Sequence, residues 1–392
     1  MTQPLPPCFA LSNGRSESRD FCIHASVLDA MMRLLPWLFL FALLWAIAPA
    51  HAERDIVYAA RYYTPPGSHR TSHFHLYRIN PDGTGRTQLT YGNEDDTDPH
   101  WSPDGRRIVF LRGEATVCVA NANGRDLQNL VAFDANNYVT DLRWLPDGRS
   151  ITFIHDHETQ DQDESALWLL DVTTRRVHHW ANVSDYAVSS DGHFLFLNGL
   201  KGEKIVDRRT RHSQTLSPPV ESAAWLNGDT LVGIISKPSD TVVKMTILNV
   251  TRRTRRNVVC RWPHSHTDLF SNSIDAGGRT LEPYSRSSHF IVYVQDVGDS
   301  GTRPANDYWF ADTRTGRMTE ITNGQCLVWS PQGSRYCTAF MRDMTNYGPI
   351  IDGYQKSLYT SPLVVGSLQT RKEREIVAGL VWVTGADWRK RQ

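Results

Sequence analysis

Two short runs hold the side chains best suited to grip a metal ion: His155-Asp156-His157 and His264-Ser265-His266-Thr267-Asp268. Alternate residues of an extended segment point the same way, so each run can set two imidazoles side by side. Asp268 adds a carboxylate to the second run. Imidazole with carboxylate suits zinc or manganese. The competing reading is solvated loop histidines, because such short runs also arise from composition alone. Arginine gives a second pattern. It recurs at Arg125, Arg175-Arg176, Arg208-Arg209-Arg211, Arg314 and Arg317, and it is densest at Arg252-Arg253-Thr254-Arg255-Arg256. Grouped guanidinium ions suit phosphates, lipid headgroups or an acidic partner; the plain reading is a set of charged, solvated turns. Gly298-Asp299-Ser300-Gly301 has the letters of a serine-protease nucleophile segment, but no matching His and Asp segments accompany it. Gly-x-Ser-x-Gly, His-Glu-x-x-His, the P-loop and Cys-x-x-Cys are all missing. No catalytic residue is assigned.

These side chains need elements to hold them, and a repeat supplies those elements. Trp101-Ser102-Pro103-Asp104-Gly105 leads into Arg106-Arg107-Ile108-Val109-Phe110. Trp144-Leu145-Pro146-Asp147-Gly148 leads into Arg149-Ser150-Ile151-Thr152-Phe153, and Trp329-Ser330-Pro331-Gln332-Gly333 leads into a similar run. Weaker copies begin at Val188, Trp225 and Tyr284, and Trp382 reads as the last anchor. In each unit an aromatic anchor ends one strand, Pro-Asp-Gly makes a tight turn, and alternating β-branched and aromatic residues make the next. Between anchors a second shape recurs: strand, polar turn, strand, as in Leu76-Tyr77-Arg78-Ile79-Asn80-Pro81-Asp82-Gly83 running on to Gln88-Leu89-Thr90. Four-stranded units of this length are propeller blades. The expected fold is an all-β propeller of seven four-stranded blades, with six as the alternative. The segment Ile56 to Tyr62 reads as a second strand that lacks a first, so the C-terminal strand is expected to close the ring.

The Trp-Ser-Pro-Asp-Gly run at 101–105 and the segment from Leu76 to Thr90 make the sequence resemble the TolB-like family of propeller repeats. The resemblance covers roughly residues 54–388 and is strongest in the first two units. It implies the propeller fold and, from the family's namesake, a periplasmic address and an envelope protein as partner. The namesake also carries an α/β domain ahead of its propeller. Here the first repeat starts within a few residues of Ala52, so a role in that particular complex is not expected. Similar repeats precede a hydrolase domain in some peptidases. Ten residues follow Trp382, so such a domain is not expected either.

Leu34 to Ala50 is apolar and uncharged, Arg33 precedes it, and Ala50-His51-Ala52 has the small-x-small form of a signal-peptidase site. Residues 31–52 read as a signal peptide cleaved after Ala52, residues 1–30 as a doubtful start or disordered extension, and 53–392 as one propeller. The chain has 392 residues with 42 basic and 42 acidic side chains. That balance gives no overall field for nucleic acid, which is not an expected partner. Four cysteines fall in the mature part: Cys118, Cys260, Cys326 and Cys337. An oxidising compartment permits disulfides, with Cys326–Cys337 the leading pair and four buried thiols the equal alternative.

Strand order sorts the loops into two rims. The short turns carry the arginines. The long connections carry acids, in Glu94-Asp95-Asp96-Thr97-Asp98 and in 155–164, with Asp296, Asp299, Asp307, Asp343 and Asp352. The expected function is a periplasmic, non-catalytic scaffold that binds a protein or envelope component through one rim. It is expected to be a monomer without a transmembrane span after cleavage. The alternative is a hydrolase or lyase acting on a sugar, lactone or peptide at the long-loop face. No cofactor is expected, the alternative being a divalent metal at the histidine runs. The candidate binding residues are His155, His157, His264, His266, Asp268, Arg252, Arg253, Arg255 and Arg256.

Overall fold

The computed structural model describes residues 55–63, 73–134, 137–158, 163–199, 202–235, 242–261, 279–284, 286–296, 306–343, 350–351, 354–355 and 359–390. They form seven four-stranded antiparallel sheets. Blade one is built from Val381–Trp388, Ile56–Tyr62, His75–Ile79 and Thr87–Gln88. Blade two runs Asp96–Trp101, Arg107–Arg112, Thr116–Asn121 and Gln128–Ala132. Blade three is Asn137–Trp144, Ser150–Glu158, Asp163–Asp171 and Val177–Asn182. Blade four is Asp185–Val188, Phe194–Asn198, Lys204–Asp207 and Ser213–Thr215. Blade five is Ala223–Trp225, Thr230–Ile234, Val243–Asn249 and Thr254–Cys260. Blade six is Arg279–Glu282, Phe290–Asp296, Asn306–Asp312 and Met318–Gly324. Blade seven is Leu327–Trp329, Arg335–Ala339, Leu363–Ser367 and Glu373–Val377. Its middle connection also carries two short ladders, Arg342–Asp343 with Tyr359–Thr360 and Ile350–Ile351 with Tyr354–Gln355.

The C-terminal strand closes the ring, as its sequence position requires. It lies antiparallel to Ile56–Tyr62 with Trp388 opposite Ile56. Trp101 opposite Ile108 and Trp144 opposite Ile151 stand in the same relation. The last anchor is therefore Trp388, fully buried, and not Trp382, which is half-buried opposite Arg61. The Pro-less context of Trp388 hides it from a motif search; its register reveals it.

Successive residues of a strand face opposite sides of the sheet, and in a ring both sides meet a neighbouring blade. Ile56, Tyr58 and Ala60 pack on blade seven, while Val57 and Ala59 pack on blade two. The result is no single core but seven apolar layers, one between each pair of adjacent blades. The seventh layer, between blades seven and one, excludes a six-bladed ring. All four cysteines of this unit are free thiols, so the Cys326–Cys337 pairing is not formed. Both belong to the layer between blades seven and one, and burial pushes the Cys326 thiol up to about 12.

The turn after each anchor follows from its residues. At Ser102-Pro103-Asp104-Gly105 the Gly105 backbone N–H donates to the Ser102 carbonyl at 2.7 Å, and Gly105 sits at φ +64°. Asp104 accepts from the Ser102 hydroxyl at 2.6 Å and from the Arg106 backbone N–H at 3.0 Å. The same turn recurs at Ser189-Asp191-Gly192.

Candidate functional site

First strands of successive blades contact each other, so they form the inner ring around the axis. Asp98 and Asp141 stand three residues before their anchors Trp101 and Trp144, and Asp185 stands three before Val188. Asp98 and Asp141 both take left-handed backbone, at φ 49° and 50°, where the pairing with the second strand shifts. Such a bulge re-aims side chains. Arg143 and Asp141 of blade three interact electrostatically with Glu282 of blade six. Blades three and six are not neighbours in a ring of seven, so these groups meet across the axis.

The axial set comprises Asp98, Asp141, Asp185, Glu282 and Asp387 with Arg143 and His100. Arg143 Nε donates to Asp141 Oδ1 at 2.5 Å, and the guanidinium is held charged chiefly by that carboxylate. His100 Nε2 lies 2.9 Å from Asp98 Oδ1. Burial works against the His100 charge, but Asp98 and Asp387 outweigh it and lift its pKa. Asp387 Oδ2 accepts the Trp101 backbone N–H at 2.7 Å, tying the closing strand to blade two. Burial, then repulsion from Asp141, pushes the Asp185 carboxyl up to about 6. Burial also pushes Glu282 up to about 6, against the pull of Arg143. Burial raises Asp387 as well. These side chains are not sealed off: that of Arg143 is 55 % exposed and that of Asp98 38 %. Among the described residues, these five carboxylates outnumber the cations that interact with them, Arg143, His100 and Lys390, so the water-accessible axis is net negative inside a chain of balanced charge. Such an axis attracts ammonium and guanidinium groups.

His155 and His157 are on a strand, not in a loop. They belong to Ser150–Glu158, paired with Asp163–Asp171. Their shared face opens on a cleft of about 500 Å³ between blades two and three. His155 packs at a tilt against Phe133, ring centres 4.2 Å apart, and meets Trp168 edge-on at 5.6 Å. His157 Nδ1 lies 3.0 Å from Asn137 Oδ1. The acidic run at 94–98 is also largely strand. Asp96 is buried and forks onto Arg112 at 2.8 and 3.1 Å, and Asp95 pairs with Arg61 at 3.0 Å. Polarity marked these segments as loops; cross-strand and cross-blade partners explain it instead. His264, His266 and Asp268 lie outside the described residues, as do Asp299 and Asp352. Among the described residues no group of three His, Cys, Asp or Glu side chains is placed to hold a metal ion.

Backbone bonds join the two short turns of each blade, such as Ala122 N to Arg106 O and Val172 N to Arg149 O, so one rim carries both classes. Several of its arginines serve as bridges between blades. Arg107 reaches the Gly148 carbonyl at 2.8 Å and covers the Trp144 ring. Arg208 covers Trp180, and Arg389 covers Trp101. Arg255 and Arg256 lie on the strand Thr254–Cys260, not in the turn. Arg255 donates to Thr246 Oγ1 at 2.8 Å and to the Ser217 carbonyl, and Arg256 donates to the Thr313 carbonyl at 2.7 Å. Both also line a cleft of about 350 Å³ with Asn249 and Ser288. Arg252 and Arg253 stay exposed at the turn.

No family model matches the sequence, and no curated protein matches it. Solved structures do match in fold. TolB from Acinetobacter baumannii is 13% identical at a TM-score of 0.50, over 88% of this chain and 68% of that one. The β-propeller domain of the Trilobed protease from Pyrococcus furiosus is 11% identical at 0.52, over 83% and 92%. Oligogalacturonate lyase from Vibrio parahaemolyticus is 10% identical at 0.50, over 74% and 91%. At these identities the likeness is one of fold, and it spans TolB, a lyase and a protease domain alike.

Proposed function

We propose that this chain is an exported, non-catalytic propeller scaffold that receives a protein or envelope component, with a basic segment of the partner entering the axial channel. The observation that carries the reading is the net-negative axis. Burial holds Asp185 and Glu282 at pKa values near 6, so keeping them ionised at neutral pH costs folding stability. Groups whose ionisation is perturbed in this way mark candidate functional sites. A lysine or arginine side chain would relieve the repulsion between Asp141 and Asp185. The arginine rim is the weaker docking surface, because many of its donors already bridge blades. The apolar, uncharged run at 34–50 supports export to the periplasm, and the fold likeness to TolB supports an envelope partner.

The test is affinity capture from crosslinked cell envelopes with the wild type and with the Asp185→Asn, Glu282→Gln double variant, read by mass spectrometry. One dominant, stoichiometric partner lost on neutralising the axis supports the reading. Capture unchanged in the double variant overturns it.

One observation favours an enzyme as the second reading. A carboxyl with a pKa near 6 can serve as a general acid, and Asp185 and Glu282 both reach that value. Hydrolase or lyase activity on a sugar, lactone or peptide, lost in both Asp185→Asn and Glu282→Gln, would establish it.

A further inference from the structure

The cleft between blades two and three has its own chemistry, separate from the axis. Its floor is a continuous aromatic surface. Phe133 and His155 lie against each other at a tilt of 37°, Trp168 stands edge-on to both, and Phe133 and Trp168 are 6.0 Å apart between ring centres. The His155 ring is neutral at physiological pH, because burial lowers its pKa. On each side of the floor stands a histidine–asparagine pair. His157 Nδ1 meets Asn137 Oδ1 at 3.0 Å, and His179 Nε2 meets Asn182 Oδ1 at 2.7 Å. A carbonyl oxygen only accepts, so each histidine donates to its asparagine there. Asn137 in turn donates to the Asp134 carbonyl at 2.8 Å, which fixes that wall in place.

From this geometry we infer that the cleft is a binding site for a neutral oligosaccharide. A pyranose ring presents a C–H-rich face and a rim of hydroxyls. The aromatic floor matches the first, and the imidazole and amide groups on both walls match the second. The volume of about 500 Å³ suits a short saccharide. Among the described lining residues no arginine or lysine is present to hold a phosphorylated or carboxylated ligand. The rings pack against one another instead of leaving a space for an organic cation between them, and Asp134, the charged residue among the described lining residues, is exposed. The cleft shares no lining residue with the axial set, so a saccharide here and a partner on the axis use different side chains.

The experiment titrates the purified protein with cellobiose, maltotriose and N,N′-diacetylchitobiose. Binding is read by tryptophan fluorescence and by saturation-transfer NMR. Inorganic phosphate and tetramethylammonium serve as competitors. The expected result is saturable binding of at least one saccharide below roughly 10 mM, with no competition from either ion. Asn182→Ala and His179→Ala change exposed side chains and keep the fold. Each is expected to weaken binding about five- to tenfold, the loss of one neutral hydrogen bond. Trp168→Phe is expected to retain part of the affinity and Trp168→Ala none. The inference fails if none of the three saccharides saturates, if tetramethylammonium competes, or if binding survives Asn182→Ala and His179→Ala unchanged.

Discussion

Asp185→Asn is expected to stabilise the protein at pH 7.5 while weakening its capture of a basic partner. The carboxyl sits on the axis, where burial and Asp141 lift its pKa from 3.8 to about 6. One pKa unit corresponds to 1.36 kcal/mol, so ionising this group in the folded state costs up to roughly 3 kcal/mol. Asparagine keeps the shape and the hydrogen bonding without the charge. The ionisation penalty is already net of the attraction of Arg143, and screening by water on the axis reduces it further, so a gain of about 1 to 2 kcal/mol is expected. The sign with pH follows from proton binding. A raised carboxyl binds protons in the folded state that the unfolded chain has already lost, so wild-type stability falls as pH rises from about 4 to about 6. Above that window the full penalty persists. Asp185→Asn should therefore diverge from the wild type across pH 4 to 6 and stay above it at higher pH. His100 adds a separate slope in the same direction. Its pKa is raised, so its contribution is complete below about 6.5 and is lost as pH rises through its folded value. Both slopes can be read from urea unfolding at a series of pH values. A variant less stable than the wild type at pH 7.5, or parallel to it between pH 4 and 6, would refute the argument.

Other expectations come from the ring itself. Trp388→Ala should cost about 3 to 5 kcal/mol, since the indole is wholly buried between blades seven and one. Trp382→Ala should cost about 1 kcal/mol by the smaller area it covers; equal losses would restore Trp382 as the anchor. Arg253 holds φ 54° at an exposed turn, a conformation costing about 1 to 2 kcal/mol for a side chain other than glycine. Arg253→Gly should therefore stabilise by about 0.5 kcal/mol after the added freedom of the unfolded chain, and a loss in thermal unfolding would disprove the strain. Asp96→Ala strands the Arg112 guanidinium, and a loss of about 3 kcal/mol is expected in denaturant titration.

The blades were legible because their physics is local. Trp-Ser-Pro-Asp-Gly sets a turn, and alternating apolar residues set the strand that follows, so blade number and ring closure could be read from the chain. The last anchor could not, because Trp388 lacks the Pro-Asp-Gly turn and is identified only by standing opposite Ile56. Polar strands were misread for a related reason. His155, His157, Asp96 and Asp98 look like loop residues until their partners are known: Phe133, Asn137, Arg112 and His100, three of them outside the strand that carries the residue. The axial set was half visible. Asp98, Asp141 and Asp185 share one offset from their anchors, a periodicity that sequence could have exposed. Glu282 breaks that offset, and only the ring brings it opposite Arg143.

Charge in this molecule divides by what it does for folding. Several arginines at or beside the short-turn rim reach carbonyls and indoles of the next blade and so help to hold neighbouring blades together: Arg107 with Gly148 and Trp144, Arg256 with Thr313, Arg389 with Trp101. Asp96 and Asp95 are explained in the same way by Arg112 and Arg61. Asp185 and Glu282 are not. Burial opposes their ionised forms, and the Arg143 guanidinium that favours them is already bonded to Asp141. Residues that oppose folding persist where another interaction favours them. The axis, not the more conspicuous arginine rim, is therefore where a partner's charge is most needed.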